Sequence, residues 1–243
     1  MKTDIVRPTQ QVYENYTAED FKVWEILFEK QMNALEGIVA PEFTEGLKTL
    51  GFNAHEIPNF NHINQVLCQQ TGWKIKTVPN IAAPDLFFSC LANKEFTATC
   101  WLRTTEELNY IEEPDMFHDV FGHMPMLTNK AYTHFFEALG ELSLKFLHDE
   151  HKLKQLQRLY WFTIEFGLIR YGDTYKIYGA GIMSSNEEKA NVYSSLSKKK
   201  DFDVALVMQQ DFRVDVVQDT YFVINSFEEL VGYLPKIKAH LLA

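Results

Sequence analysis

Residues 113–123 read EPDMFHDVFGH and place His118 and His123 five positions apart. Pro114 suits the first turn of a helix, where no backbone N–H is needed, and Pro125 cannot continue the helix that follows. At the α-helical angle of about 100° per residue, the two histidines lie about 140° apart, on the side without aliphatic groups. The opposite side holds the large apolar residues Met116, Phe117, Val120, Phe121 and Met124. We predict a short helix that is anchored by this apolar side and presents a functional site on the other.

The composition excludes several classes of protein. The chain has 243 residues, 46% of them hydrophobic and 14% aromatic, which is typical of a globular protein with a sizeable core. A formal charge of −10 argues against nucleic acid or an anionic membrane as partner. No apolar run is long enough to span a membrane, and the polar N-terminus does not resemble a signal peptide. Cys68, Cys90 and Cys100 form no CxxC pair, so we expect a reducing, cytoplasmic location.

The apolar periodicity predicts a mainly α protein with a few short β-strands, an α+β fold without internal repeats. We expect an N-terminal arm over residues 1–18 and a single domain over residues 19–243. Helices are predicted at 19–37, 42–50, 60–70, 85–92, 130–149, 153–171, 204–210 and 227–242. Strands are predicted at 73–78, 96–103 and 214–223, a strand followed by a glycine turn at 175–182, and a turn or short helix at 105–110.

Glu165 is the one charged residue in the segment YWFTIEFGLI, residues 160–169. A carboxylate buried among apolar groups is costly unless it is protonated, paired with a cation or bound to a metal. Arg158 or Arg170 could supply the cation, and this alternative stays open. With His118 and His123, Glu165 would instead complete a facial triad, which leaves three positions of an octahedral iron(II) free.

Zinc is the alternative metal for two histidines and a glutamate. The common helical zinc motif of hydrolases, H-E-x-x-H, has its histidines four apart and a glutamate beside the first. Here the spacing is five, and the neighbour of His118 is Asp119. This spacing favours iron.

Three motifs resemble those of the tetrahydropterin-dependent aromatic amino acid hydroxylases, and in particular the short bacterial phenylalanine 4-hydroxylases. They are EPDxxHDxxGHxP at 113–125, YWFTIEFGL at 160–168 and YGAGIMSS at 178–185. The resemblance implies one hydroxylase catalytic domain, containing Fe(II) and using a tetrahydropterin and O2 to convert L-phenylalanine to L-tyrosine. Tryptophan hydroxylation is the alternative within the family. A zinc hydrolase and a non-catalytic metal-binding protein remain remote alternatives.

The resemblance also implies roles for single residues around the metal. His118, His123 and Glu165 would bind iron, and Tyr160 would lie near it. Phe87, in the loop at 78–88, would stack on the pterin ring. Asp119 would approach the pterin in place of a longer glutamate found in animal enzymes.

The resemblance further implies a site for the amino acid substrate. Arg103 would pair with the substrate carboxylate, a task that suits the planar guanidinium, and Asp115 would hold that arginine in place. Ser184 would help to bind the same carboxylate. The walls of the aromatic pocket would be Pro114, Trp161 and Phe166.

Some positions depart from the animal pattern, and one bears on specificity. Ile111 replaces a substrate-binding threonine, and Thr97 replaces a histidine near the pterin. Val214 aligns loosely with a valine of phenylalanine hydroxylases, where tyrosine hydroxylases carry an acid, and so favours phenylalanine. The regulatory domain and tetramer-forming helix of the animal enzymes have no counterpart, so we expect a monomer or a small homo-oligomer.

Overall fold

The structure is a computed structural model that describes residues 7–109 and 111–242. Residues 1–6 of the expected arm and Tyr110 of the expected turn lie outside the described residues. The described part of the arm packs on the domain: the Gln11 side chain donates to the Pro58 carbonyl and accepts from the Phe60 N–H. None of the described helices combines the length and the apolar character needed to cross a bilayer.

The fold is mainly helical, as the sequence predicts. The α-helices are α1 (Ala18–Leu35), α2 (Pro41–Leu50), α3 (Phe60–Gln70), α4 (Pro84–Ala92), α5 (Lys130–Lys145), α6 (Glu150–Tyr160), α7 (Ala180–Ser184), α8 (Asn186–Val192), α9 (Val204–Gln209) and α10 (Phe227–Leu242). Segments of π-helix span Phe117–His123 (π1) and Trp161–Glu165 (π2). Short 3₁₀ turns span Tyr13–Asn15, Thr105–Glu107 and Pro125–Thr128.

The strands form small sheets beside these helices. They are β1 (Lys74–Thr77), β2 (Glu95–Ala98), β3 (Gly167–Tyr171), β4 (Thr174–Ile177), β5 (Lys198–Asp201) and β6 (Thr220–Ile224). β1 and β2 pair in parallel, and the larger sheet has the order β4-β3-β6-β5. Within it, β3 and β4 form an antiparallel hairpin, whereas β6 runs parallel to both β3 and β5.

Local sequence signals explain where the helices begin and end. Thr17 and Asp20 form a capping box at the start of α1, and Asn59 caps α3. Pro41 occupies the first turn of α2, whose last turn is closed by Gly51 at φ +71°, a conformation that side chains disfavour. These signals are local, which is why the predicted bounds of these helices agree with the structure to within two residues.

Aromatic packing holds π1 in the centre of the domain. The rings of Phe117 and Phe121 stack with centroids 4.7 Å apart. Trp24 of α1 meets Phe117 at 5.3 Å, and Phe43 of α2 meets Phe121 at 5.4 Å, both edge to face. The apolar side of the segment is therefore buried as predicted, and it fixes where His118 and His123 lie.

The predictions for residues 153–171 and for three strands were wrong in part. The helix at 153–171 is instead α6, then π2, then strand β3, because Gly167 starts a ladder with β6. Strand 96–103 ends at Ala98, where its partner strand β1 has also ended, and strand 214–223 begins only at Thr220. In 175–182, the strand ends at Ile177 before the glycines, as predicted, but helix α7 then begins at Ala180. β5, Lys-Lys-Lys-Asp, lacks the apolar alternation that identifies a strand and lies at the sheet edge, where lysines are common.

A pair of helical glycines tests how tightly the domain is packed. A Cβ at Gly140 of α5 would lie 2.5 Å from the Ala92 nitrogen and 2.7 Å from the Leu91 Cβ, whereas a Cβ at Gly232 of α10 would meet nothing within 4 Å. We expect Gly140→Ala to lower the free energy of unfolding by about 1–3 kcal/mol through overpacking. Gly232→Ala should raise it by about 0.5–1 kcal/mol through helix propensity.

Urea denaturation of both variants measures these changes. Equal effects of the two substitutions would contradict the close approach of α5 to α4.

Candidate active site

π1 brings the two histidines together. In a π-helix the backbone bonds join residues five apart, so that His118 and His123 lie about one turn from each other on the same face. Their ring centroids are 5.2 Å apart. The 140° separation expected from α-helical geometry was therefore wrong, and the two rings lie closer together than an α-helix would place them. Helical residues begin after Asp115, so Pro114 precedes the helix and is not in its first turn.

Glu165 is the last residue of π2 and faces both imidazoles. Its Oε1 lies 3.2 Å from His123 Nε2, and its Oε2 lies 3.7 Å from His118 Nε2. One donor atom from each of the three residues lies within 4.8 Å of the others. Ligand atoms bonded at about 2.1 Å and at right angles are about 3 Å apart, so this cluster matches the size of a metal site.

Among the described residues no arginine neutralises Glu165, so the alternative of an ion pair with Arg158 or Arg170 was wrong. Arg158 pairs with Asp211, and Arg170 pairs with Asp201. Burial alone raises the pKa of Glu165, but His123, His118 and the Tyr160 hydroxyl outweigh it and lower that pKa to about 2. Glu165 is therefore an ionised carboxylate whose close partners are imidazoles and a phenol.

The hydrogen bonds of Ser184 orient the ring of His118. The Ser184 hydroxyl donates to the Ala180 carbonyl at 3.0 Å, so at 2.9 Å it can only accept from the His118 Nδ1–H. The proton on Nδ1 leaves the lone pair of Nε2 facing Glu165. Burial lowers the pKa of His118 to about 4, which keeps this ring neutral and able to bind a metal.

Glycines let the YGAGIMSS segment pack against the backbone of Glu165. A Cβ at Gly179 would lie 2.3 Å from the Glu165 carbonyl oxygen, and one at Gly181 would lie 2.7 Å from the Phe166 ring. On the other side, a Cβ at Gly122 would approach the Ala180 Cβ to 3.0 Å. α7 thus packs between π1 and π2, and the small residues Gly122, Gly179, Ala180 and Gly181 set the distance between these two segments.

Arg103 and Asp115 form a buried ion pair beside the histidines. Arg103 Nε and Nη2 donate to the two Asp115 oxygens at 2.9 and 2.7 Å, and the Arg103 backbone N–H donates at 2.9 Å. The same carboxylate accepts from the His118 backbone N–H at 3.3 Å. The pair does not use Nη1 of Arg103, so that edge of the guanidinium can bind a further acceptor.

The Asp119 carboxylate binds Thr99 and does not belong to the three-residue cluster. The Thr99 backbone N–H and hydroxyl both donate to Asp119 Oδ2, at 2.8 and 3.0 Å. Burial raises the pKa of Asp119 to about 7, although the two hydrogen bonds oppose this rise. Asp119 therefore lies next to the site without joining the cluster of ligand atoms.

Aromatic rings surround the polar cluster. Tyr160 donates to Glu165 Oε1 at 2.8 Å and meets the half-buried Phe87 edge-on, with ring centroids 5.2 Å apart. Trp161 and Phe166 pack at 4.6 Å, and Phe166 directly follows Glu165. The structure thus places every residue expected to act on metal, pterin or substrate in this region, with Pro114 one residue before Asp115.

Some contacts of the site could not be foreseen. Phe96 packs against the His123 ring with centroids 4.5 Å apart, Thr99 binds Asp119, and Gln218 accepts from the indole N–H of Trp161 at 3.0 Å. No sequence signal marks these three residues, because each acts through a contact distant in the chain. Val214 is 76% exposed, so its side chain is not part of this buried region.

Comparison with known proteins agrees with this geometry. The model of the biopterin-dependent aromatic amino acid hydroxylase family matches residues 7–241. Phenylalanine-4-hydroxylase from Ralstonia nicotianae is 42% identical over 222 residues, covering 91% of this chain and 71% of the relative. The Chromobacterium violaceum enzyme of the same name is 43% identical over 221 residues, covering 90% and 74%.

Solved structures show the same fold. A Chromobacterium violaceum phenylalanine hydroxylase structure with oxidised Fe(III) superposes with a TM-score of 0.90 at 40% identity, covering 97% of this chain and 86% of that one. Another, with iron(III) and 7,8-dihydrobiopterin, has a TM-score of 0.89 at 40% identity, covering 98% and 86%. The chain belongs to the biopterin-dependent aromatic amino acid hydroxylases.

The contact between Ser184 and His118 predicts an effect on metal binding. Ser184→Ala removes the acceptor that orients the His118 ring, so we expect a loss of about 10-fold or more in affinity for Fe(II) or Co(II). Metal titration of the apoprotein measures this loss.

Ser143→Ala is the matched control. The buried Ser143 also donates to a carbonyl four residues earlier, that of Leu139, but it contacts no histidine. Metal affinity should stay unchanged in this variant. Wild-type affinity in Ser184→Ala would contradict the orienting role of Ser184.

Proposed function

We propose that this protein is a monooxygenase that converts L-phenylalanine to L-tyrosine with O2, Fe(II) and a tetrahydropterin. The observation that carries the proposal is the cluster of His118, His123 and Glu165 with the Arg103–Asp115 pair beside it, just before π1 in the chain on the side of Asp115. A site for a redox metal thus adjoins a cation that suits the carboxylate of an amino acid. The relatives named as phenylalanine hydroxylases support the choice of substrate.

The donor set fits iron. His118 Nε2, His123 Nε2 and one Glu165 oxygen would occupy three positions, and the remaining ones would stay open. When bound, the reduced pterin would supply the two electrons that the substrate does not, and the iron would activate the dioxygen that the reaction consumes. Tyr160 holds the Glu165 carboxylate by its hydrogen bond, and Ser184 holds the His118 ring, so that the protein presents its ligands in a fixed geometry.

The amino acid substrate would be oriented at both of its ends. Arg103 has Nη1 available for the carboxylate, while Asp115 fixes the guanidinium plane. Pro114, Trp161 and Phe166 would pack around the aromatic ring and exclude water. Anchoring the substrate at two points is what directs one carbon of the ring towards the metal.

The pterin would lie on the side of Phe87 and Asp119. Phe87 offers a half-buried aromatic face one side chain away from Glu165, with Tyr160 between them. Asp119 Oδ1 is not used by Thr99 and could accept from a ring nitrogen of the pterin. Asp119 is shorter than glutamate, and its fixed contact with Thr99 determines how far it reaches.

Tryptophan hydroxylation is less supported than phenylalanine hydroxylation, because the two relatives described above are named as phenylalanine hydroxylases.

We also propose a catalytic domain over residues 19–243 preceded by the arm at 1–18, and a monomer or small homo-oligomer. The free thiols of Cys68, Cys90 and Cys100 support a cytoplasmic location. The net charge of −10 supports the absence of a nucleic-acid partner.

Product analysis tests the proposed reaction. The protein loaded with Fe(II) should form tyrosine from phenylalanine in air with a tetrahydropterin. It should form none when iron, pterin or oxygen is left out, because the electrons or the oxidant are then missing. The kcat/KM for phenylalanine should exceed that for tryptophan. No tyrosine in the complete mixture would overturn the proposal, and hydrolytic activity with bound zinc would support the zinc alternative.

Arg103→Lys tests the assignment of the substrate carboxylate. Lysine cannot bind both Asp115 and a substrate carboxylate with a planar fork, so we expect KM for phenylalanine to rise about 10- to 100-fold. Arg170→Lys, in an exposed pair with Asp201, is the control and should leave KM within about twofold. Steady-state kinetics with phenylalanine measure both, and an unchanged KM in Arg103→Lys would contradict the assignment.

A further inference from the structure

Ring packing and one hydrogen bond hold the indole of Trp161 in place. Its ring packs between Phe166, with centroids 4.6 Å apart, and Phe212, stacked at 4.4 Å. The indole N–H donates to Gln218 Oε1 at 3.0 Å. Since Trp161 opens π2 and touches the residue after Glu165, a shift of the indole would change the space beside the metal ligands.

Every hydrogen-bonding group of the Gln218 amide is in use. Nε2 donates to the carbonyls of Arg213 and Val216, at 2.9 and 3.0 Å. Both amide hydrogens are thus bound to carbonyls, so it is the oxygen that faces Trp161. Gln218 is only 6% exposed, and turning its amide would break three hydrogen bonds in a buried place.

The backbone of Gln218 is anchored on helix α8. Its N–H donates to Glu188 Oε1 at 2.9 Å, and its carbonyl accepts from Asn191 Nδ2 at 2.6 Å. Tyr221 of β6 also donates to the Glu188 carboxylate. The amide that holds Trp161 is therefore tied to α8 and β6, whereas most of the loop before it is exposed, with Val214, Val216 and Val217 at 76%, 46% and 43%.

We propose that Gln218 is a positioning residue that fixes the Trp161 indole and so sets the selectivity of the site for phenylalanine over the larger tryptophan. The inference rests on the proposed function, in which Trp161 is a wall of the aromatic pocket. If only ring stacking held the Trp161 indole, the indole could shift to admit the larger side chain of a tryptophan substrate. The hydrogen bond from its N–H to Gln218 opposes that shift. Gln218 itself acts through Trp161 and has no contact with the metal ligands among the described residues.

Gln218→Met tests the role of the amide. Methionine fills a similar volume but cannot accept from the indole or donate to the two carbonyls. We expect KM for phenylalanine to rise about 10-fold, with kcat within about twofold. The ratio of kcat/KM for phenylalanine to that for tryptophan should fall by about the same factor. Phenylalanine binding measured without oxygen should weaken in parallel, which provides a readout independent of turnover.

Trp161→Phe removes the same hydrogen bond from the other partner. We expect a loss of selectivity in this variant also, and no further loss when Gln218→Met is added, because no indole N–H remains to be held. If Gln218→Met does not fold, the selectivity of Trp161→Phe alone tests the inference. Wild-type selectivity in Trp161→Phe would overturn the inference.

Tyr221→Phe is the control for a purely structural role. It removes the hydroxyl that binds Glu188 and Asn191 in the same network, but it leaves the Gln218 amide and Trp161 intact. We expect a lower Tm with unchanged selectivity. An equal loss of selectivity in Tyr221→Phe, or wild-type selectivity in folded Gln218→Met, would contradict the inference. A wild-type protein that forms no tyrosine contradicts the proposed function instead.

Discussion

The rest of the site depends on one interaction, the buried carboxylate of Glu165 facing the imidazoles of His118 and His123. An ionised carboxylate in an apolar interior is costly, and no arginine or lysine in the described part of the chain offsets that cost. The carboxylate is stabilised instead by the Tyr160 hydroxyl and the two rings, and a metal ion would stabilise it further. The surrounding structure brings these groups together and keeps other cations away.

π-helical geometry is the constraint that makes this convergence possible. Histidines five apart would diverge on an α-helix, whereas i→i+5 bonding returns them to one face. π2 likewise ends at Glu165, and after Phe166 the chain enters strand β3. Such segments are less favourable than α-helix, and the dense packing of Phe117 and Phe121 against α1 and α2 compensates for them. The close approach of α7, permitted by Gly122 and Gly179, holds the two π segments at a fixed distance.

Much of the fold followed from local signals. Helices α1 to α4 were predicted nearly to the residue, because caps, prolines and apolar spacing act within one or two turns. The segment 153–171 was not, since its apolar residues suit a buried helix and a buried strand equally well, and only pairing with β4 and β6 selects the strand. β5 was missed for the opposite reason: its lysines give no apolar pattern, and its pairing with β6 alone makes it a strand.

The sequence by itself determined which groups the site contains. The histidine pair, Asp115 and the lone Glu165 are chemically distinctive and lie in motifs that identify them, and Arg103 follows from the resemblance to the family. Tertiary structure alone decided how these groups face one another: that His118 turns its Nε2 towards Glu165 because Ser184 binds Nδ1, and that Gln218 holds Trp161. The reason is physical. Chemical identity belongs to a residue, whereas orientation depends on hydrogen bonds and packing between segments 50 or more residues apart in the chain.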